Sequence, residues 1–200
     1  MVGQRIIRVA VNGYGVIGKR VAQAVAVQKD MAVAGVADVA QDWRVRAALS
    51  RGYALYGATE EHAVAMGAAG LDVSGTLDDL LEAADIVVDC TPKRLASKNI
   101  EIYRRLGIKY IVHGGETHES TGHSFVAEAN YASAVGRDGT RVVSCNTTSI
   151  IRTLSALKRH GLLDRARGTL LRRATDPWES HLGGIMNTLV PEPEIPSHQG

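Results

Sequence analysis

A chain of 200 residues with 23 Lys and Arg against 21 Asp and Glu, a formal charge of +2 and 45% apolar residues has the make-up of a folded globular protein, which excludes a disordered or supercharged polymer. The two signs stay balanced along the chain, so no basic face points to nucleic acid. The longest stretch free of Asp, Glu, Lys and Arg, from Ser180 to Pro191, is shorter than the ~18–20 apolar residues a membrane helix needs.

In chain order, the β-branched run at 6–12 predicts a strand, 15–27 an amphipathic helix and 32–37 a second strand. An irregular region follows, with helices near 43–51 and 60–67. Thr76 sits where an N-cap belongs, with Asp79 at the third helical position, and predicts a short helix. The run 85–90 is nearly all apolar, as in a strand covered on both faces, and it stops at Thr91-Pro92. A helix over 95–106 closes at Gly107, and a strand over 109–113 ends in Gly114-Gly115. A further strand is expected at 141–144. A helix over 147–159 follows, with Ile150, Leu154 and Leu157 on one face and Gly161 as its C-cap. A last strand is expected at 167–174, before a Pro-containing segment.

Strands alternating with helices give an α/β fold, a Rossmann-type doubly wound parallel sheet followed by the start of an α+β catalytic domain. The expected division is a dinucleotide-binding domain over 1–140 and the first part of a catalytic domain over 141–200. A strand and a loop at the end leave a second layer begun but not closed, so the chain reads as a piece. No basic n-region precedes an apolar run at the N-terminus. Cys90 and Cys145 are too few for a disulfide framework and lack metal-ligand spacing. The expectation is a cytoplasmic protein without a metal.

Gly13-Tyr14-Gly15-Val16-Ile17-Gly18 follows a predicted strand and opens a predicted helix, the context that gives a G-x-G-x-x-G match its meaning. Gly13 permits the tight turn, Gly15 lets the backbone approach a pyrophosphate, and Gly18 allows close helix packing. The amides near Val16 and Ile17 would receive the pyrophosphate at the positive end of the helix dipole. Asp38 ends the second strand 20 residues beyond Gly18, where a carboxylate accepts from the adenosine ribose hydroxyls and repels a 2′-phosphate. NAD is therefore expected over NADP. Arg44 and Arg46 lie close enough in sequence to soften that preference, and a solvent-exposed turn aspartate is the alternative.

Ser144-Cys145-Asn146-Thr147-Thr148 joins a strand to a helix, which places the Cys145 thiol at a helix N-terminus, where the dipole and unpaired amides favour a thiolate nucleophile. The amide of Asn146 suits an oxyanion, and the threonines suit a phosphate. The alternative is a small buried core residue, as expected for Cys90 within its apolar strand. His113 and His118 flank a glycine loop without two further ligands, and they are assigned no role. His123, His160 and His181 are expected at the surface. Arg172 and Arg173 point to opposite faces of their strand, one toward a phosphate or cofactor and the other toward an interface, or else they lie on a solvated edge.

The segments VAVNGYGVIGKRV (9–21) and VVSCNTT (142–148), with 85–92, Gly114-Gly115-Glu116, Arg172-Arg173-Ala174 and Leu189-Val190-Pro191-Glu192-Pro193, resemble the archaeal (type II) phosphorylating glyceraldehyde-3-phosphate dehydrogenases. The resemblance implies oxidation of glyceraldehyde 3-phosphate to 1,3-bisphosphoglycerate through a cysteine thioester, with hydride passing to NAD(P) and inorganic phosphate cleaving the thioester. It implies a homotetramer. By position it makes Cys145 the nucleophile, with Ser144 and Asn146 beside the substrate, and Val16, Ile17, Gly115 and Arg173 against the cofactor. His198 and Gln199 match a substrate-contacting pair that is usually two histidines. Many relatives carry lysine at the position of Asp38 and use NADP readily, so the aspartate favours NAD here. The family's general-base histidine lies further along than Gly200. The 200 residues alone are thus expected to bind NAD but to turn over poorly, since losing a general acid–base group costs about 10²- to 10⁴-fold. A catalytically silent NAD-binding fragment is one alternative, and a semialdehyde or acyl-phosphate dehydrogenase another.

Overall fold

Runs of valine, isoleucine and alanine without charge between them make strands that are covered on both faces. The computed structural model describes residues 5–92, 95–113 and 115–170. By contacts the chain divides into two units, Met1–Phe125 with Tyr131–Val142, and Val126–Asn130 with Val143–Gly200.

The first unit runs β1 (Ile7–Asn12), α1 (Val16–Ala26), β2 (Met31–Asp38), α2 (Trp43–Leu49), β3 (Leu55–Gly57), α3 (Glu60–Ala68), β4 (Gly75–Thr76) and α4 (Leu77–Glu82). It continues through β5 (Ile86–Asp89), α5 (Ala96–Leu106), β6 (Lys109–Val112), α6 (His118–Thr121) and β7 (Ser124–Phe125). The segment α7 (Ala127–Ala134) is broken at Asn130, whose φ of −146° is not helical. Beyond it lie β8 (Gly139–Val142) and, in the second unit, α8 (Cys145–Arg159).

All eight strands are parallel, in the order β4-β3-β2-β1-β5-β6-β8-β7. The chain winds outward from β1 to β4, then crosses back to β5 and winds the other way. The switch point therefore lies between the carboxyl ends of β1 and β5, where open α/β sheets take their ligands.

Alternation along the strands sends side chains to two cores. On one face Ala10, Ala37 and Val87 meet Leu77, Leu80 and Leu81 of α4 and Ile100 and Tyr103 of α5. On the other, Val11, Val36 and Leu55 meet Ala22 of α1, Val45 and Ala48 of α2 and Met66 of α3. Each fully buried Val, Leu or Met side chain contributes roughly 1.5–3 kcal/mol. Among the described residues no helix is long and apolar enough to cross a membrane.

The predicted helix after Thr76 begins with a complete capping box. The Thr76 hydroxyl caps the Asp79 amide and the Asp79 carboxylate accepts from the Thr76 amide at 2.7 Å. Strands β3, β4 and β7 have two or three residues and carry no readable period, α6 is a single four-residue turn, and α7 is broken at Asn130, so none of these is expected from the sequence. The strand expected at 141–144 lies at Gly139–Val142 instead. Gly139 pairs beside Tyr110, and a Cβ there would collide with the Tyr110 ring. Val143 and Ser144 leave the sheet because Ser144 caps α8. Of the strand expected at 167–174, residues 167–170 have no regular structure, and the rest lies outside the described residues.

His123, expected at the surface, is buried, with its Nδ1 2.7 Å from Thr140 Oγ1 and its Nε2 2.9 Å from Ser133 Oγ. Two hydroxyls satisfy the ring where sequence alone offered no partner, and burial lowers its proton affinity. His118 and His160 are exposed, and His181 lies outside the described residues.

The amino ends of the central strands β1 and β5 are tied by charge. Asp85, just ahead of β5, accepts from the Arg8 amide at 2.8 Å and from Arg5 Nη2 at 2.6 Å. The Arg8 amide first, then the Arg8 and Arg5 side chains, hold its carboxyl down at about 2. A carboxyl lowered on folding adds stability that is present above its unfolded value of about 4 and is lost as pH falls toward 2. Asp85→Asn should therefore lower the urea midpoint at pH 7, and its difference from the parent chain should shrink between about pH 4 and pH 2. A pH-independent difference would show that Asp85 acts through packing instead of charge.

Candidate functional site

In the first unit, β1 delivers the chain into the glycine turn at the switch point. Gly13 has φ +92°, and a Cβ there would meet the backbone of Cys90 and Thr91 at 2.9 Å. A Cβ on Gly18 would collide with the Gly13 carbonyl oxygen. Both neighbours are backbone and cannot yield, so the start of α1 is pressed onto the turn. A Cβ on Gly15 would meet nothing within 4 Å, so its α-carbon faces open space.

Gly15 is the N-cap of α1 and supplies no side chain to cap it, and the first turn carries no acidic residue. The first helical bond runs from the Lys19 amide to the Gly15 carbonyl at 3.0 Å. The amides of Val16, Ile17 and Gly18 thus have no helical acceptor, and an N-terminus of this kind suits a phosphate.

Asp38 stands at the end of β2, and its carboxylate clamps the turn. Oδ2 accepts from the Tyr14 amide at 2.6 Å, and Oδ1 accepts from Val39 and Ala40, both at 2.8 Å. A carboxylate offers about four acceptor positions. Three are taken, which leaves room for a single ribose hydroxyl. The role as a backbone clamp was not legible in the sequence.

Beneath the turn lies a polar network that the sequence reading missed. Asp89 is fully buried, and it accepts from the Thr91 amide and hydroxyl at 2.9 and 2.6 Å, from Asn99 at 2.8 Å and from the Tyr103 hydroxyl at 2.7 Å. The Tyr103 oxygen accepts in turn from Asn12 Nδ2 at 2.9 Å. Burial, reinforced by the Asp89 carboxylate, pushes the Tyr103 phenol far up, so it stays a donor. The available signal was an aspartate and an asparagine ending two apolar strands.

Gly115 follows β6 with φ +87°, on the same carboxyl edge as Asp38 and the glycine turn. The neighbouring Glu116 carbonyl accepts from Arg141 Nη1 at 2.8 Å, and Arg141 Nε donates to Ser124 at 2.7 Å. The structure thus brings Gly13, Gly15, Val16, Ile17, Gly18, Asp38 and Gly115 to one edge of one sheet. His113 is half-buried and its proton affinity is lowered by that burial. Cys90 is also held back: burial first, then the Asp89 charge, push its thiol up to about 12.

In the second unit, Ser144 is the N-cap of α8, and its hydroxyl accepts from the Thr147 amide at 3.1 Å. Cys145 is the first helical residue and is exposed. The amides of Cys145 and Asn146 precede the first helical bond, which joins Thr148 to Ser144 at 2.9 Å. An ion pair from Arg159 to Glu128 at 2.7 Å ties the far end of α8 to the Val126–Asn130 segment. Arg172, Arg173, His198 and Gln199 lie outside the described residues. Among the described residues no group of three or more His, Cys, Asp or Glu could hold a metal.

Residues 7–135 match the family described as "Dihydrodipicolinate reductase, N-terminus". Over 98% of its length the chain is 50% identical to the glyceraldehyde-3-phosphate dehydrogenase of Methanothermobacter thermautotrophicus, of which it covers 58%. It is 47% identical over 96% of its length to that of Methanothermus fervidus and 46% identical over 97% to that of Thermococcus kodakarensis, covering 57% of each. The chain thus spans less than two thirds of the length of these curated relatives.

Tyr103→Phe removes the hydroxyl that joins Asn12 to Asp89 and leaves the Asn12 amide without its buried acceptor. It should cost about 1–3 kcal/mol of unfolding free energy, read from urea denaturation. A cost near zero would mean that water or a shifted side chain repairs the network.

Proposed function

The chain belongs to the dihydrodipicolinate reductase N-terminal family, an α/β family of NAD-binding domains, and from that premise we propose that its first unit binds NAD and serves a phosphorylating glyceraldehyde-3-phosphate dehydrogenase. The observation that carries the reading is the glycine turn at the switch point. Three uncapped amides of α1 and the open side of Gly15 fit a pyrophosphate. Similarity to the archaeal dehydrogenases over nearly the whole chain supports the choice of reaction.

The residues that would hold the dinucleotide are Gly13, Gly15, Val16, Ile17 and Gly18 at the pyrophosphate and Asp38 at the ribose, with Gly115 and Arg173 as the further cofactor contacts that the resemblance implies. The bound nicotinamide supplies the acceptor for the hydride that aldehyde oxidation releases. Cys145 makes and breaks the other bonds. Its thiolate adds to the aldehyde carbon, carries the acyl group as a thioester, and departs when an oxygen of inorganic phosphate attacks the carbonyl to give the acyl phosphate. The first-turn amides of α8, with Asn146, stabilise the oxyanion of each tetrahedral stage. Ser144 orders that turn, and His198 and Gln199 contact the substrate. The whole enzyme in this reading is a cytoplasmic homotetramer, a compartment that suits two free thiols.

Preference for NAD over NADP follows from the charges beside Asp38. Arg44 is already paired with Asp42 at 2.8–3.0 Å, Arg46 donates to the Ala69 carbonyl at 3.1 Å, and the Lys19 ammonium lies over the Trp43 ring. A 2′-phosphate would meet an anion among cations already engaged.

Titration of the 200-residue chain with NAD, followed by calorimetry, tests the binding reading, and saturable binding is expected. Asp38→Asn keeps an acceptor for the Tyr14 amide but removes the charge. The NAD-to-NADP affinity ratio should fall roughly fivefold, about 1 kcal/mol, with a loss of about 1–3 kcal/mol of stability because the new amide nitrogen faces a backbone donor that Asp38 now satisfies. Tighter binding of NADP than NAD to the unaltered chain overturns the preference. Iodoacetamide at pH 7 should label Cys145 and spare Cys90. Cys145→Ser should abolish formation of an acyl adduct from glyceraldehyde 3-phosphate, read by mass, while NAD affinity stays within about twofold, since a nucleophile acts on substrate and not on cofactor binding. An adduct retained in that variant would place the nucleophile elsewhere.

A further inference from the structure

Trp43, the first residue of α2, is 71% exposed, and Val39, just past Asp38, is 55% exposed. Indole is the most expensive side chain to leave in water, because it carries the largest apolar area. This one is also held in place. Lys19 Nζ lies 4.6 Å from the centre of the Trp43 ring and 5.7 Å from that of Tyr14. The ammonium covers one indole face and pins the ring plane against α1. Lys19 directly follows Gly18, so the pinned indole is anchored to the helix whose first-turn amides await the pyrophosphate. Asp38, at the ribose position, lies five residues before it.

We propose that Trp43 is the stacking platform for the adenine ring of the bound dinucleotide, with Lys19 as the positioning residue that fixes the indole. The inference rests on the dinucleotide reading above and deepens it. A flat aromatic surface with one face occupied by a cation and the rest open to solvent takes a flat heteroaromatic ring. Stacking of a base on an aromatic side chain is insensitive to groups on the ribose. Trp43 therefore adds affinity equally for NAD and NADP, while Asp38 separates the two. The adenine half alone should carry the effect.

The test uses the 200-residue chain with Trp178, its other tryptophan, changed to phenylalanine, so that emission reports Trp43 alone. ADP-ribose should quench that emission saturably, and nicotinamide mononucleotide should leave it unchanged. By calorimetry, Trp43→Leu should weaken NAD, NADP and ADP-ribose alike by roughly 5- to 150-fold, with the NAD-to-NADP ratio preserved. Trp43→Phe should restore most of the loss, and Lys19→Met should give a smaller loss with a shifted Trp43 emission in the free protein. An unquenched Trp43 in the presence of saturating ADP-ribose overturns the platform. So does Trp43→Leu binding NAD as tightly as the parent. A parent chain that binds no NAD at all removes the dinucleotide reading itself. A parent that binds NAD while Trp43→Leu is unaffected removes only the adenine platform.

Discussion

The Gly13 carbonyl and the Cys90–Thr91 backbone press on the glycine turn so closely that no side chain fits at residue 13 or 18. Both contacts are backbone against backbone, so neither can relax by a rotamer change. The first turn of α1 is thereby fixed at the carboxyl ends of β1 and β5, and its amides keep one direction. Everything attributed to the dinucleotide site follows from that placement. The Asp38 clamp on Tyr14 adds a second tether from β2, and the Asp89 network supports the turn from below.

Buried charge and exposed charge are used differently along this edge. Asp89 is removed from water but receives four donors, the condition under which a buried carboxylate is tolerated. Asp38 stays partly in water and gives three acceptor positions to backbone amides. The two thiols show the same contrast. Cys90, next to a buried anion, is held as a thiol. Cys145 opens a helix at the surface of its unit, exposed to solvent.

Much of the chain's organisation was legible because its signals are local. The capping residues Thr76 and Asp79 formed the expected box, Gly107 ended α5 in the left-handed conformation, and the long apolar runs became β1, β2, β5 and β6. Short elements were not legible. β3, β4 and β7 exist because neighbouring strands offer them hydrogen bonds, and three residues cannot announce that in advance. The position of β8 was misread for a related reason. Gly139 pairs with Tyr110, whose ring leaves no room for a side chain there, a contact between residues far apart in sequence.

What the amino-acid order determined by itself was the parallel α/β class, the glycine turn with its three distinct glycines, and a helix N-terminus beside Cys145, which the structure begins two residues earlier than the expected 147. These depend on backbone freedom, helix caps and period, all set within a few neighbouring residues. Tertiary structure alone decided that His123 is buried between two hydroxyls, that Asp38 spends three of its acceptor positions on the backbone, and that Lys19 lies across Trp43. The His123 bonds, the Asp38–Tyr14 bond and the Lys19–Trp43 contact join groups 10 to 24 residues apart. Their energies arise from desolvation and exact placement, which a sequence specifies only through the fold it makes.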